Sequence, residues 1–445
     1  MQNITFKKTL VAMCVLTFLA PAWAGDSERI KALEQKLDQS MATIVAMQKR
    51  LDELEHKGDS APAPAAVVGA ATPAPAASSS AGIDARVEAI EHSVAQIEAS
   101  SAAAAQVDTG LPIHGFADVK LGDRNSAAAS LEKRGYRGVD VGTFDLYMTP
   151  QISSQVKALV ELAFEYDDSG ELEVDAERMQ LGYVFSDSLT VWAGRFHTPY
   201  GYWNTAFHHG AQIQTALTRP QFLDFEDSGG ILPAHSVGLW LTGARDTGLG
   251  RVGYDFTLVN GDRLDNGQLD FQAIGDGDSN VGLGFRTNLA VAGTGLTLGL
   301  HGLSQKIAGG NALGTASGRV QLNMLGGYAT YENDDWEAMA EYYGFRNADL
   351  SGGTGRHAST AWYAQIGYNV NDQFTPYARY EDADLNSRDP YFNLQQFGQA
   401  YRRGVLGIRY NLTPKSALKA EVMRGTQVGT PGTPSSLQFQ YAIRF

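Results

Sequence analysis

The densest run of chemically versatile side chains lies between His197 and Pro233, HTPYGYWNTAFHHGAQIQTALTRPQFLDFEDSGGILP. It carries His197, His208, His209, Arg219, Asp224, Glu226 and Asp227 among Tyr200, Tyr202, Trp203, Phe207, Phe222 and Phe225. Imidazoles titrate near neutral pH and ligate metals. A guanidinium grips a carboxylate through two parallel hydrogen bonds. Four of the nine histidines fall between His197 and His235, so a metal site is conceivable. The H-E-x-x-H spacing of a metallohydrolase is absent, and no metal or other cofactor is expected. A hydrolytic reading would join His208 or His209 to a serine and a carboxylate. No nucleophile motif accompanies them, and a triad is defined by geometry rather than composition. No enzyme is expected.

The elements that must hold this stretch follow from the rest of the chain. Its 445 residues carry a net charge of -14. The acidic balance argues against nucleic acid as a partner. Beyond the first residues no apolar run reaches the roughly 18 residues of a membrane helix. Glycine (49), tyrosine (19) and phenylalanine (19) are abundant, which suits strands, tight turns and aromatic girdles. The single cysteine, Cys14, lies in a segment expected to be removed, so disulfides and thiol chemistry drop out.

Residues 1–24 read as a signal peptide: Lys7 and Lys8, the apolar LVAMCVLTFLA, then Ala22-Trp23-Ala24 as a cleavage site. Residues 25–57 show a heptad seam, Ile30, Leu37, Ile44 and Leu51 alternating with Leu33, Ser40, Met47 and Leu54. That is the pattern of a coiled coil. Residues 58–82 form a Pro/Ala/Ser-rich spacer. A second short coiled-coil helix, 83–100, has Ile83, Val87, Ile90, Val94 and Ile97 on its seam. β-Branched residues at both core positions favour three or more helices.

From 111 to 445 the period becomes two, and sixteen strands are expected. They span about 112–121, 140–150, 153–166, 172–186, 188–196, 234–244, 250–260, 279–290, 294–305, 317–331, 334–346, 356–370, 373–382, 399–412, 415–426 and 435–445. In the last, Leu437, Phe439, Tyr441, Ile443 and Phe445 oppose Gln438, Gln440 and Arg444. Every other link is short, and the intervening links are mostly longer. The fold expected is all-β, a 16-stranded antiparallel transmembrane β-barrel, with an apolar face toward lipid and a polar face toward water. An even strand number puts both ends of the barrel, and the coiled coil, on the side of the short turns.

This layout, with a long third external link and a terminal YAIRF, resembles the Gram-negative trimeric porins. The heptads resemble those of the dicarboxylate-type (DcaP-like) porins, and more distantly the layout is similar to the phosphate-selective O/P-type porins. The resemblance implies a homotrimer in the outer membrane with its coiled coil in the periplasm. Its partners would be lipid, lipopolysaccharide and small polar solutes. It also implies that loop 197–233 folds inward as a constriction flanked by Arg219, His208, His209, Asp224, Glu226, Tyr202 and Trp203. Asp224 and Asp227 could instead tie the loop to wall arginines.

Strand parity assigns pore-lining candidates. Arg178, Arg286, Arg319, Arg379, Arg403, Arg409 and Lys419 are basic; Asp145, Glu161, Glu165, Glu337, Glu341, Glu381 and Glu421 are acidic. A lining of mixed sign favours small polar solutes, and arginines keep an organic-anion route open. Neighbouring charges could equally neutralise one another. Lysine is sparse on these faces, which speaks against phosphate. A second function reading is an anchor, with the coiled coil and spacer reaching peptidoglycan and the barrel only holding the membrane.

Overall fold

The computed structural model describes residues 112–124, 138–150, 152–166, 171–208, 210–224, 230–265, 268–270, 281–309, 319–433 and 435–445. The expected signal peptide, both coiled-coil segments and the spacer lie outside the described residues.

The strands run β1 (Ile113–Arg124), β2 (Gly138–Met148), β3 (Val156–Tyr166), β4 (Leu172–Ser186), β5 (Leu189–His197), β6 (His235–Thr247) and β7 (Gly250–Asn260). After two short strands, β8 (Asp262–Asp265) and β9 (Gln268–Leu269), come β10 (Val281–Val291), β11 (Leu296–Gly309), β12 (Arg319–Glu332) and β13 (Trp336–Asp349). The series ends with β14 (Arg356–Tyr368), β15 (Phe374–Asp384), β16 (Tyr401–Thr413), β17 (Ser416–Gln427) and β18 (Ser435–Arg444). Among the described residues helix is confined to one-turn pieces, α1 (Trp203–Ala206) and α2 (Pro390–Asn393), and a short 3-10 turn, Gln221–Leu223.

Sixteen strands are staves of a closed antiparallel barrel. Each pairs with its neighbours in sequence, β7 pairs with β10 across the β8–β9 insertion, and β18 returns to β1. The seam is tied to the last residue, where Gly115 and Phe445 exchange backbone hydrogen bonds of 3.2 and 3.1 Å. All the expected staves form, with ends within about four residues of their expected positions. The two extra strands were not expected in what reads as an acidic external loop. They form a hairpin that aligns Leu264 with Leu269, and β8 runs parallel to β11. The Asn266-Gly267 pair between them is the dipeptide most favoured in two-residue hairpin links.

Burial is inverted relative to a water-soluble sheet protein. On β18, Gln438 and Gln440 are buried while Leu437, Phe439 and Tyr441 are exposed. On β14, Tyr363 and Gln365 are buried and Trp362 and Ile366 are not. Leu181, Leu283, Leu325 and Leu406 all point outward. Fully burying such a side chain is worth about 1.5–3 kcal/mol. A whole barrel surface of them is stable only where the surroundings are themselves apolar. Lipid supplies this, and closure leaves no strand edge there without a hydrogen-bond partner.

The interior holds a second apolar core. Trp203, Phe222, Leu223, Ile231 and Leu232 from the β5–β6 link meet Leu264 and Leu269 of the hairpin. They join Tyr391, Phe392 and Phe397 from the β15–β16 link, against Leu322, Tyr343, Tyr363 and Val405 of the wall. The β15–β16 link is shaped by a helix-start signature. Asp389 precedes Pro390 and accepts from Tyr391 N at 3.0 Å, while Asn347 Nδ2 donates to its other oxygen at 2.8 Å. Burial raises the Asp389 carboxyl above its ordinary value.

Leu406 lies mid-strand on β16 and is 66 % exposed. Leu406→Arg is expected to lower stability in lipid vesicles by about 2–4 kcal/mol if the site is near the bilayer midplane. Urea unfolding followed by tryptophan fluorescence reads this. An unchanged midpoint would mean that this face does not meet lipid.

Candidate functional site

The β5–β6 link leaves the wall and returns beside itself. Thr198 N donates to Ala234 O at 2.8 Å, and the Thr198 and Ser236 hydroxyls lie 2.8 Å apart, closing the stem. The chain then turns at Gly201, whose φ of 60° is left-handed. A Cβ there would collide with the Tyr343 hydroxyl and the Glu341 carboxylate. This close approach puts the loop backbone directly on the inner wall.

A loop inside a barrel must find partners for its own peptide groups. Here the donors meet three glutamates. Glu341 accepts from Tyr202 N and Trp203 N, both at 2.8 Å. Glu421 accepts from Leu217 N at 3.0 Å and Thr218 N at 3.2 Å. Glu381 accepts from Gln221 N at 2.8 Å. The acceptors meet cations. Lys419 donates to Ala211 O and Ala216 O, and Arg409 to Gln214 O at 2.7 Å. Arg379 donates to Thr218 O at 2.7 Å and Arg219 O at 2.9 Å, and Arg403 to Arg219 O at 2.6 Å.

Sheet register supplies this pattern. Glu341, Tyr363, Glu381 and Arg403 occupy successive paired positions on β13, β14, β15 and β16. Arg409 and Lys419 are directly paired on β16 and β17. Tyrosines complete the shells: Tyr343 and Tyr363 donate to Glu341 at 2.7 and 2.6 Å, Tyr377 to Glu421 at 2.8 Å, and Tyr401 to Glu381 at 3.0 Å. These hydroxyls were missed in the sequence reading. The signal for one was present, since Tyr343 lies two residues beyond Glu341 and shares its face.

The expected constriction residues separate into groups. Tyr202 is half-buried, with its ring 5.6 Å from Phe207 and 5.9 Å from Tyr328. Burial and the nearby Glu332, Glu341 and Glu337 push its phenol upward. Asp224 is half-buried. Trp203 corrects an expectation: it is wholly buried in the interior core, with the Arg379 guanidinium 5.7 Å from its ring. Arg219 is also buried, so the feature it presents to the wall is its carbonyl. His208 is buried among His197, His235 and Asn204. His209, Glu226 and Asp227 lie outside the described residues.

The expected lining residues separate as well. Arg379, Arg403, Lys419, Glu341, Glu381 and Glu421 are inward, but they hold the loop. Arg286 bonds Asp255 at 2.8 Å and the Thr205 hydroxyl, tying α1 to β7 and β10. Arg178 pairs with Glu161. Arg319 is a correction: it is exposed, on the opposite parity to buried Val320, Leu322 and Met324. The inner face of β12 is apolar there because it packs against the interior core.

Lys120, 41 % exposed beside Asp118, and Arg178, 24 % exposed and paired with Glu161, are inward basic side chains that keep some access. They lie on β1 and β4, and Lys120 shares a register row with Lys419 through Gln440 of β18.

Glu341→Ala would strand donors from Tyr202, Trp203, Tyr343 and Tyr363, at about 1–3 kcal/mol each. The expected outcome is faster amide hydrogen exchange across residues 200–208 with the strands still protected. Unchanged exchange would mean that Glu341 does not hold this part of the loop.

No protein-family model matches the chain, and no curated protein matches it. Solved structures do. An anion-selective porin from Comamonas acidovorans is similar over 76 % of this chain and 99 % of its own, at 14 % identity and a TM-score of 0.51. A loop L8 deletion mutant of OmpT, an outer membrane protein of Vibrio cholerae, is similar over 76 % and 99 %, at 13 % identity and a TM-score of 0.50. At these identities the likeness is one of fold, and the fold it supports is the sixteen-stranded porin-type barrel.

Proposed function

We propose that the chain is an outer-membrane porin, a water-filled channel for passive diffusion of small polar solutes whose width is set by the β5–β6 loop. The observation that carries this reading is the pairing of an apolar outer surface with a charged interior into which one loop is pinned by glutamates, arginines and a lysine. Sixteen strands enclose enough space for an aqueous path beside an infolded loop. Tyr202 and Asp224, neither of them fully buried, are the loop residues assigned to the constriction. The removable signal, the periplasmic coiled coil and the homotrimer belong to the same reading and rest on the sequence.

Preference for small organic anions is part of the proposal. Lys120 and Arg178, each beside a carboxylate yet partly exposed, are the cations assigned to act on a passing solute. A carboxylate is the group that suits a guanidinium and an ammonium placed on one wall.

The test is single-channel current of the purified mature protein in a planar bilayer under a salt gradient. Current steps in groups of three with an anion-selective reversal potential are expected, together with block by dicarboxylates. Lys120→Gln combined with Arg178→Gln is expected to shift the reversal potential toward cations. A folded barrel carrying no current would overturn the channel and favour the membrane-anchor reading.

A further inference from the structure

The stem of the loop carries a cluster that the channel reading does not use. Glu177, His197, His208 and His235 each offer a donor atom, and these atoms all lie within 4.8 Å of one another. We infer that this is a binding site for one divalent first-row transition metal of the Zn²⁺ type, which fastens the base of the loop to the barrel wall.

Four separate features of the backbone bring the ligands together. His197 ends β5, His235 begins β6, and the two are paired in register, with ring centroids 5.3 Å apart. His208 returns to them just beyond α1 and stacks on His197 at 3.6 Å, with His235 at 4.7 Å. Glu177 belongs to β4, where Arg178 pairs with Glu161 and Ala176 with Leu162. Glu177 is thus the extra residue of a bulge, and its carboxylate contacts His235. Bulges re-aim side chains, often beside functional sites.

The protonation of His208 is set by its neighbour. Asn204 Nδ2 donates to Thr198 O at 2.9 Å and Ala234 O at 3.4 Å. Carbonyl oxygens only accept, so this end of the amide is the nitrogen. Its oxygen then faces His208 Nδ1 at 3.0 Å and must accept a proton from it. In the neutral ring Nε2 keeps its lone pair, as a metal ligand requires. Such orienting partners are the usual second layer of a histidine site. Glu161 plays a similar part, its carboxylate 3.3 Å from His197 Nε2.

Three imidazoles and one carboxylate suit Zn²⁺ and its neighbours in the first row and not Ca²⁺ or Mg²⁺. Metal–nitrogen bonds of about 2.0–2.1 Å place tetrahedral donors roughly 3.4 Å apart, so the cluster must contract by small side-chain rotations. With four protein ligands the shell would be closed, the arrangement of a structural metal rather than a catalytic one.

The experiment uses the folded full-length protein, stripped with chelator and titrated with Co²⁺ and then Zn²⁺. One equivalent of Co²⁺ per chain, with the intense visible bands of a tetrahedral nitrogen-rich site and displaced by Zn²⁺, is expected. His208→Ala and His235→Ala should each weaken binding at least tenfold, and Asn204→Ala by about 10–100-fold, while His357→Ala on β14 leaves it unchanged. X-ray absorption on the Zn²⁺-loaded wild type, which needs no variant to fold, should show imidazole scattering. Oxygen-only coordination, no retained metal, or equal binding by the His208 and His235 variants would overturn the site. Binding is read without any current, so its failure and failure of the channel reading remain distinct.

Discussion

A stretch of irregular backbone inside a membrane barrel must satisfy its own peptide groups, and this need organises the interior. Each unmet donor or acceptor there costs several kilocalories per mole. Among its described residues the β5–β6 loop forms one turn of helix, a 3-10 turn and isolated turns, which leave the rest of its peptide groups to find partners on the wall. The wall answers with ions sorted by the polarity of the peptide groups they face. Glutamates stand opposite N–H groups at Tyr202, Trp203, Leu217, Thr218 and Gln221. Lysine and arginines stand opposite carbonyls at Ala211, Gln214, Ala216, Thr218 and Arg219. Hydrogen bonds with one charged partner are about twice as strong as neutral ones. Mutual pairing, as between Arg403 and Glu381, further offsets desolvation.

It follows that the mixed signs of the wall have two origins. From β13 to β17 they are structural, and the apolar core of loop, hairpin and β15–β16 link lies against the same strands. From β1 to β4 the inward groups include Asp118, Lys120, Asp145, Glu161, Asp175, Glu177 and Arg178, and the hydrogen bonds to loop backbone described above come from other strands. The interior is therefore lopsided. One side is a packed, hydrogen-bonded body and the other a polar wall.

Much of this fold is legible in the sequence because a lipid-facing strand has a rigid period of two. Leu437, Phe439 and Tyr441 could only share a face, and the glutamines between them could only share the other. The same rule placed Arg379, Glu341 and Lys419 inward. It could not say what they touch, since their partners lie more than a hundred residues away in the loop. The rule failed at Arg319, and the expected constriction role of Trp203 met the same obstacle. It assumes that inward means wet, whereas β12 and the loop bury an apolar core inside the barrel. The hairpin around Leu264 and Leu269 was hidden by its aspartates, although Asn266-Gly267 marked it.

The period also breaks on β4. Asp175, Glu177 and Gln180 are buried and Arg178 is drawn inward too, which strict alternation forbids. A bulge costs ladder hydrogen bonds and re-aims the side chains around it. Departures from a local rule concentrate where a protein requires a side chain in a particular place. Here the displaced side chain is Glu177, and it arrives at three histidines drawn from two strand ends and a loop. The wall ions hold the far reach of the loop through its backbone. The bulge brings a carboxylate to the stem, where the loop meets the wall through side chains instead. The two arrangements alternate along one segment, wall ions at Tyr202, Trp203 and from Ala211 to Gln221, the histidine cluster at His197, His208 and His235.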